Sequence, residues 1–177
     1  MAAIQEFSYI GNGVVKVQKG ADPAREFGNC SALSLKISTD EKKLVDYTRG
    51  GGGTANKVVR ISSVDVEMDL RELSPDNIAL GVQGDISIDA TSKEATIEAL
   101  TQLGTEYKLI FEGLNEAQSG AKVNLTIHRF KPSPIDDLAL IGDDFATLKL
   151  KGAVLADRTK PIGKSMYFQV VMATKTS

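Results

Sequence analysis

The chain has few of the residues that most metal and catalytic sites require. Its 177 residues include one Cys, one His and no Trp. A single Cys30 cannot close an intramolecular disulfide, and Cys30 and His128 together cannot build a His/Cys metal site. We therefore interpret Cys30 as a small buried apolar residue, in a sequence that fits a reducing compartment without demanding one.

Long apolar runs and an excess of one charge are also missing. No run approaches the roughly 20 residues needed to cross a bilayer. The N-terminus has no basic region followed by an apolar one, so we expect no secretory signal. The formal net charge of −2 excludes a global basic field that would hold nucleic acid. We expect a protein used in a cytoplasm, or packed into a particle assembled there, with no membrane partner.

Catalytic and nucleotide-binding motifs are absent as well. His128 falls on the polar face of its predicted strand and no Gly-x-Ser-x-Gly elbow is present, which favours a surface histidine over a triad. The four glycines of residues 50–53 are not followed by Gly-Lys-Ser/Thr, which excludes a P-loop. The paired acids at 136–137 and 143–144 do not match a calcium loop and are interpreted as caps or solvated loop. We expect no enzyme, no cofactor and no metal.

Period-two alternation, the signature of β-strands, is the strongest positive signal. In residues 64–71 one face is apolar and the other acidic. The apolar positions are Val64, Val66, Met68 and Leu70, and the acidic positions are Asp65, Glu67 and Asp69. The acidic face is either a solvated face with neighbouring cations or a wall facing something that must not adhere. The parity changes after Ile61, which predicts a β-bulge near residues 62–63 unless the strand begins only at Ser63.

Similar patterns predict one mainly β domain over residues 1–177, a sandwich or half-barrel with one or two short helices. Ser74 and Pro75 predict the capped start of a helix over residues 77–82 that covers an end of the sheet through Ile78, Leu80 and Val82. Weaker signals predict helical turns at residues 22–26 and 135–141. Further strands are predicted at residues 13–17, 32–38, 85–89, 95–99, 107–112, 123–128, 148–154 and 166–172, the last of them well buried because it is apolar on both sides.

A polar stretch between two of these strands predicts a contact surface. Residues 39–58 form an extended assembly loop, and residues 1–30 an N-terminal arm, in this interpretation. Glycine loses the most backbone entropy on ordering, so a tetraglycine tip beside apolar side chains favours a contact made in an assembly. The alternative is a hairpin loop with no partner. The predicted inter-subunit contacts are Leu44, Val45, Tyr47, Arg49, Gly50, Gly51, Gly52 and Gly53.

Roughly the first half of the chain resembles the tail tube proteins of long-tailed bacteriophages, the major tail protein family. The resemblance is carried by GNCSALSL at 28–35, LVDY at 44–47, GGGGT at 50–54, RISSV at 60–64 and LSPDNIALG at 73–81. It implies a sandwich or half-barrel subunit with a flanking helix and a long hairpin arm. Six copies would close a ring, and stacked rings would form a tube in the virion tail, assembled in the host cytoplasm.

The resemblance also implies partners and roles. The tube would enclose a tape-measure protein, meet tail terminator and baseplate or tip proteins, and pass double-stranded DNA without specific binding. Residues 39–58 would reach a neighbouring subunit. Asp65, Glu67 and Asp69 would line the channel, where acids repel DNA phosphates.

Two alternatives remain open from the sequence. One is a tube subunit of a contractile injection or secretion system. The other is a monomeric β-sandwich binding module, for example for carbohydrate. Such modules usually present aromatic platforms, and 6% aromatic residues with no Trp weigh against that alternative.

Overall fold

The computed structural model describes residues 8–48 and 50–173. Strand accounts for 51% and helix for 6%, which confirms the predicted mainly β fold. In chain order the elements of the described residues are β1 (Gly11–Gln18), β2 (Arg25–Glu26), β3 (Cys30–Val45), β4 (Thr54–Leu70), α1 (Pro75–Gly81), β5 (Asp85–Ile88), β6 (Ala95–Glu98), β7 (Tyr107–Asn115), β8 (Ala121–Pro132), β9 (Leu148–Val154) and β10 (Phe168–Met172). A short 3-10 helix, Glu116–Gln118, forms the turn between β7 and β8.

Eight strands form one antiparallel sheet in the order β2-β1-β7-β8-β9-β4-β3, with β10 added to β8. Because β7 occupies one side of β8, β10 and β9 share the other side. β10 pairs with residues 123–127 and β9 with residues 130–132. β5 and β6 form a separate two-stranded sheet.

The large sheet curls into an open barrel. β1 and β3 are five strand steps apart in the pairing order, which is roughly 24 Å in a flat sheet. Residues of both strands nevertheless line one groove, and Val15 of β1 shares a core cluster with Val66 of β4. The sheet therefore curves around its apolar face, as the half-barrel alternative of the predicted fold requires.

The core lies on this concave face. Val64, Val66, Met68 and Leu70 of β4 are at most 3% exposed, so the predicted apolar face is confirmed. β8 and β9 contribute Ile127, Phe130, Leu148 and Leu150 in the same alternating manner.

Helix α1 is capped as predicted and closes one end of the barrel. The Ser74 hydroxyl accepts a hydrogen bond from the backbone N–H of Asn77 at 3.3 Å. A Cβ added at Gly81 would lie 3.3 Å from Leu150, so the helix packs directly on β9. The buried face carries Leu80, whereas the expected partners Ile78 and Val82 are only half-buried.

One N-terminal prediction is confirmed and another is wrong. The predicted strand at residues 13–17 lies within β1, so the described part of the predicted N-terminal arm contributes a strand to the large sheet. Residues 25–26 pair with β1 as a strand instead of starting a helical turn. A tertiary bond explains this, since the Arg25 guanidinium donates to the side-chain oxygen of buried Asn77 at 2.6 Å. The same Asn77 amide donates to the Phe27 carbonyl at 2.8 Å.

Two C-terminal predictions also fail. Residues 135–141 are irregular, because the backbone N–H of Ile135 donates to the Gly81 carbonyl at 2.9 Å and not within a helix. The last strand, predicted as well buried, is β10, and it lies exposed at an edge of the sheet. Cys30, interpreted as buried, is half-buried at the start of β3.

Candidate functional site

The β3–β4 ribbon extends well beyond the barrel. The two strands pair continuously from Cys30 and Leu70 at the core end to Val45 and Thr54 at the far end. From Thr39 to Ser62 every described residue is exposed except Asp46. We call residues 39–61 the distal hairpin. The predicted assembly loop is therefore mostly two paired strands with a short tip.

A β-bulge separates the distal hairpin from the barrel. Ser38 pairs with Ser63 and Thr39 pairs with Ile61, which leaves Ser62 as an extra residue in β4. The predicted bulge is confirmed, and the alternative in which the strand begins at Ser63 is wrong. The bulge changes the parity of β4, so odd-numbered residues continue the core side of the sheet beyond it.

The inner face of the distal hairpin extends the apolar surface of the core into solvent. Ile37 lies directly opposite the core residue Val64 and therefore points to the core side. Ile61 and Val59 follow on that side, paired with β3 residues two and four positions beyond Ile37. These three side chains are between 51% and 54% exposed. Nothing in the described residues covers them.

The outer face combines apolar and basic side chains. Lys42 lies opposite Val58, and Leu44 lies two residues beyond Lys42 on the same face. Arg60 lies opposite Asp40 there. Leu44 is 61% exposed and Val58 nearly half exposed. The outer face is therefore an exposed sheet surface with a basic and apolar character.

The tip is held by hydrogen bonds of one aspartate. The Asp46 backbone N–H donates to the Gly53 carbonyl at 2.8 Å, and its carboxylate accepts from the Thr48 backbone N–H at 2.8 Å. The Thr48 hydroxyl also donates to this carboxylate and is the main cause of the lowered pKa of Asp46. Gly51 and Gly52 have φ angles of +111° and +64°, with open space around both. Glycine is required here by conformation and not by crowding.

The predicted contact residues lie together at this end of the molecule. Leu44, Val45 and Tyr47 are exposed, Tyr47 at 88%, and residues 50–53 are exposed beside them. Arg49 lies outside the described residues. The contact of this group with another subunit stays a prediction.

The acidic face of β4 is electrically balanced. Its three acids point away from the core and each has a lysine directly opposite on a neighbouring strand. The pairs are Asp65 with Lys36 of β3, Glu67 with Lys151 of β9 and Asp69 with Lys149 of β9. Three negative and three positive charges sum to zero, which favours the alternative of a solvated face with neighbouring cations over an acidic wall. The position of this face in a channel stays a prediction.

Three strands of the large sheet have a single partner each. Among the described residues the two-residue β2 pairs only with β1, β3 only with β4, and β10 only with β8. Val170, Val171 and Met172 of β10 are each about half exposed. Unpaired N–H and C=O groups at such edges can accept a further strand. The apolar run at residues 166–172 predicted a buried strand, but in the single chain this edge strand is exposed.

An apolar groove follows the open seam of the barrel between β1 and β3. Its volume is about 500 Å³, and Tyr9, Val15, Leu33, Phe111 and Val170 are among its lining residues. Five strands of the sheet contribute to this groove. No sequence pattern predicts this groove, because it depends on how the sheet curls.

The described residues hold little that resembles a reaction centre. Burial, with the nearby Lys160 charge, lowers the pKa of His128, so its imidazole is neutral at pH 7. Within residues 8–48 and 50–173 no group of three or more His, Cys, Asp or Glu side chains is placed to hold a metal ion.

The same part of the chain contains no helix long and apolar enough to span a membrane.

Comparison with known proteins gives a family without an assigned role. No curated protein matches the chain. The family described as "Protein of unknown function UCP028589" matches residues 8–96 and 88–171. These two segments overlap and together cover nearly the whole described chain. The chain therefore belongs to the family of unknown function UCP028589.

Proposed function

We propose that the protein is the structural subunit of a bacteriophage tail tube, which acts by self-assembly and has no enzymatic activity. The observation that carries the proposal is the distal hairpin. Its two strands are fully paired, yet both of its faces stay exposed with large apolar side chains. A hairpin of this length needs a second molecule to bury those side chains.

The exposed apolar surface has two parts. Ile37, Ile61 and Val59 form a row that extends the core side of the sheet, and Tyr47 stands almost fully exposed at the tip, beyond the charged pair of Lys43 and Lys57. Contiguous apolar surface on a soluble chain indicates an interaction site. Burial of such surface releases roughly 25 cal/mol per Å², which favours association of identical copies.

The unpaired edges of β3 and β10 support the same proposal. A ring of copies can pair the β3 edge of one subunit with an open edge of the next, so that the sheets continue around the ring. Closure of a sheet into a ring removes its edges altogether. In the proposed particle six subunits form each ring and the rings stack. Tape-measure, terminator and baseplate or tip proteins are the expected partners.

The channel role of Asp65, Glu67 and Asp69 takes a revised form. A face with three acids and three lysines in register neither binds nor strongly repels DNA phosphates. We propose that charge balance lets DNA pass. Asp65→Asn, Glu67→Gln and Asp69→Asn together leave three uncompensated lysines on this face. Assembled tubes of this variant should retain DNA in a salt-dependent manner, as measured by filter binding at 50 and 300 mM salt.

A matched control for that variant is Asp85→Asn, Glu94→Gln and Glu98→Gln, which removes three exposed acids from the region of β5 and β6. It should bind no more DNA than the wild-type tube. Equal binding by the two variants would mean that the β4 face does not line the channel.

The direct test of the proposed function is negative-stain electron microscopy of the purified protein over a concentration series, with light scattering for mass. Rings or tubes with a central channel are expected at high concentration. A variant with Val59→Ser and Ile61→Ser should stay folded and lose assembly, since these side chains lie outside the monomer core. A wild-type monomer at every concentration would reject the proposal.

The alternative of a contractile injection or secretion tube predicts the same rings.

A monomeric binding module is favoured by one observation, the apolar groove at the barrel seam with Tyr9 and Phe111 in its lining. A monomer that binds a defined glycan, with loss of binding in Tyr9→Ala, would establish that alternative.

A further inference from the structure

The connection between β8 and β9 exposes an acidic and apolar segment that the proposed function does not use. Residues 133–147, which we call the acidic segment, contain no helix or strand. Four aspartates and no cation give it a charge of −4. Ile141 is 97% exposed and Phe145 is 93% exposed. Large apolar side chains at such exposure contact almost nothing in their own chain.

The acidic segment is anchored at its start. The backbone N–H of Ser133 donates to the Lys151 carbonyl at 2.8 Å and that of Ile135 to the Gly81 carbonyl at 2.9 Å. Asp136 forms an ion pair with Lys151. Leu138 packs against the core cluster. The part that projects into solvent is therefore residues 139–145, held in place by these contacts.

The outer face of the distal hairpin has the complementary character. Lys42, Arg60, Leu44 and Val58 share that face, and Asp40 is the one acid on it among the described strand residues of the distal hairpin. Asp40 lies 3.8 Å from Lys42, so two cations and one acid leave this face a net charge of +1. The acidic segment offers Leu140, Ile141 and Phe145 beside Asp143 and Asp144. Docking of these two surfaces would pack apolar side chains against apolar side chains and pair the cations with carboxylates. Such complementarity steers association and fixes register.

We propose that the outer face of the distal hairpin docks on the acidic segment of a second copy of the chain. The proposal rests on the proposed self-assembly and names the two surfaces that meet. Each surface is unoccupied in its own chain, and each copy carries one of both. Repeated head-to-tail from copy to copy, this contact produces a closed ring or a stacked array, as the proposed self-assembly requires.

Charge reversal tests the docking. Lys42→Glu with Arg60→Glu makes the hairpin acidic, and Asp143→Lys with Asp144→Lys makes the segment basic. Each double variant alone should lose assembly at least tenfold at the concentration where the wild type assembles, because like charges then face each other. An equimolar mixture of the two should assemble again, since every hairpin then finds a segment of opposite charge on the other variant.

The matched control for the hairpin variant is Lys19→Glu with Lys164→Glu, which lowers the net charge by the same amount at two exposed loop lysines. It should assemble like the wild type. Double variants that assemble normally, or a mixture that stays dissociated, would overturn the docking while leaving self-assembly intact. A wild-type protein that never associates would overturn both proposals.

A second measurement covers the case in which a charge variant fails to fold. One batch carries Cys30→Ala with Leu44→Cys, and another carries Cys30→Ala with Ile141→Cys. Oxidation of the mixture should give a disulfide-linked dimer that neither batch gives alone. Leu103→Cys, at another exposed apolar position, replaces Leu44→Cys as the control and should give no dimer. Absence of the dimer in an assembled sample would overturn the docking.

Discussion

The two halves of the β3–β4 ribbon have the same secondary structure and opposite surroundings. In the core ladder, residues 30–38 paired with residues 63–70, one face of β4 is buried completely. In the distal hairpin both faces are exposed. Strand pairing is thus the same on both sides of the Ser62 bulge, and only the packing differs. The core ladder stabilises the subunit, whereas the distal hairpin leaves its side chains exposed, as the proposed contact with other copies requires.

The same substitution in the two halves should separate these roles. Leu70→Ala removes a side chain with no exposure and should lower the free energy of unfolding by about 3 kcal/mol, because it leaves a cavity. Leu44→Ala in the distal hairpin should change it by less than about 0.5 kcal/mol. Urea denaturation of the monomer measures both. Similar losses for the two variants would show that the distal hairpin packs on its own barrel.

Removal of the bulge should redirect the distal hairpin without disturbing the core ladder. Deletion of Ser62 keeps Ile61 opposite Thr39 on the core side but removes the bend and extra twist that a bulge introduces. We expect loss of assembly by light scattering and a change in monomer stability of at most about 1 kcal/mol. Ser62→Ala keeps the extra residue and should assemble normally. Normal assembly of the deletion variant would contradict a role of the bulge in directing the distal hairpin.

Sequence patterns predicted the core ladder because burial of one face leaves an alternation that can be read directly. Val64 to Leu70 show it, and the parity change at Ser62 revealed the bulge. The distal strands escaped prediction because residues 40–43 are four charged side chains with no alternation. Contacts between the two strands support their pairing, such as the 2.6 Å ion pair between Lys57 of β4 and Glu41 of β3.

Other errors have the same origin in long-range contacts. The start of the acidic segment has helix-capping residues, but its backbone donors bond to Lys151 and Gly81, which are distant in sequence. Strand β10 is apolar on both sides and yet exposed. An apolar sequence shows that a strand is suited to burial, but it does not show which surface covers the strand. The groove at the seam depends on the curl of the sheet, which no local pattern encodes.

The glycine tip allows a smaller test of the distal hairpin. Gly52→Ala places a side chain at a φ of +64° and should destabilise the tip by about 1 kcal/mol. Gly50→Ala is the matched control, since its φ is outside the left-handed region and the space around it is equally open. Amide exchange of Asp46, whose N–H bonds to Gly53, should accelerate only in Gly52→Ala. Equal exchange in both variants would mean that the tip conformation is not fixed in solution.

The smallest expected effect is a pH dependence confined to the tip. The Thr48 hydroxyl, followed by the Thr48 backbone N–H, lowers the pKa of Asp46 below its ordinary value of 3.8. A lowered folded-state pKa means that the stabilisation is complete above pH 3.8 and is lost as the pH falls through the folded-state value. The Thr48 amide resonance should therefore shift in that acidic range while resonances of the core ladder stay constant. Asp46→Asn, which keeps an acceptor but cannot titrate there, should abolish the shift, and a shift that survives this substitution would assign the titration to another carboxylate.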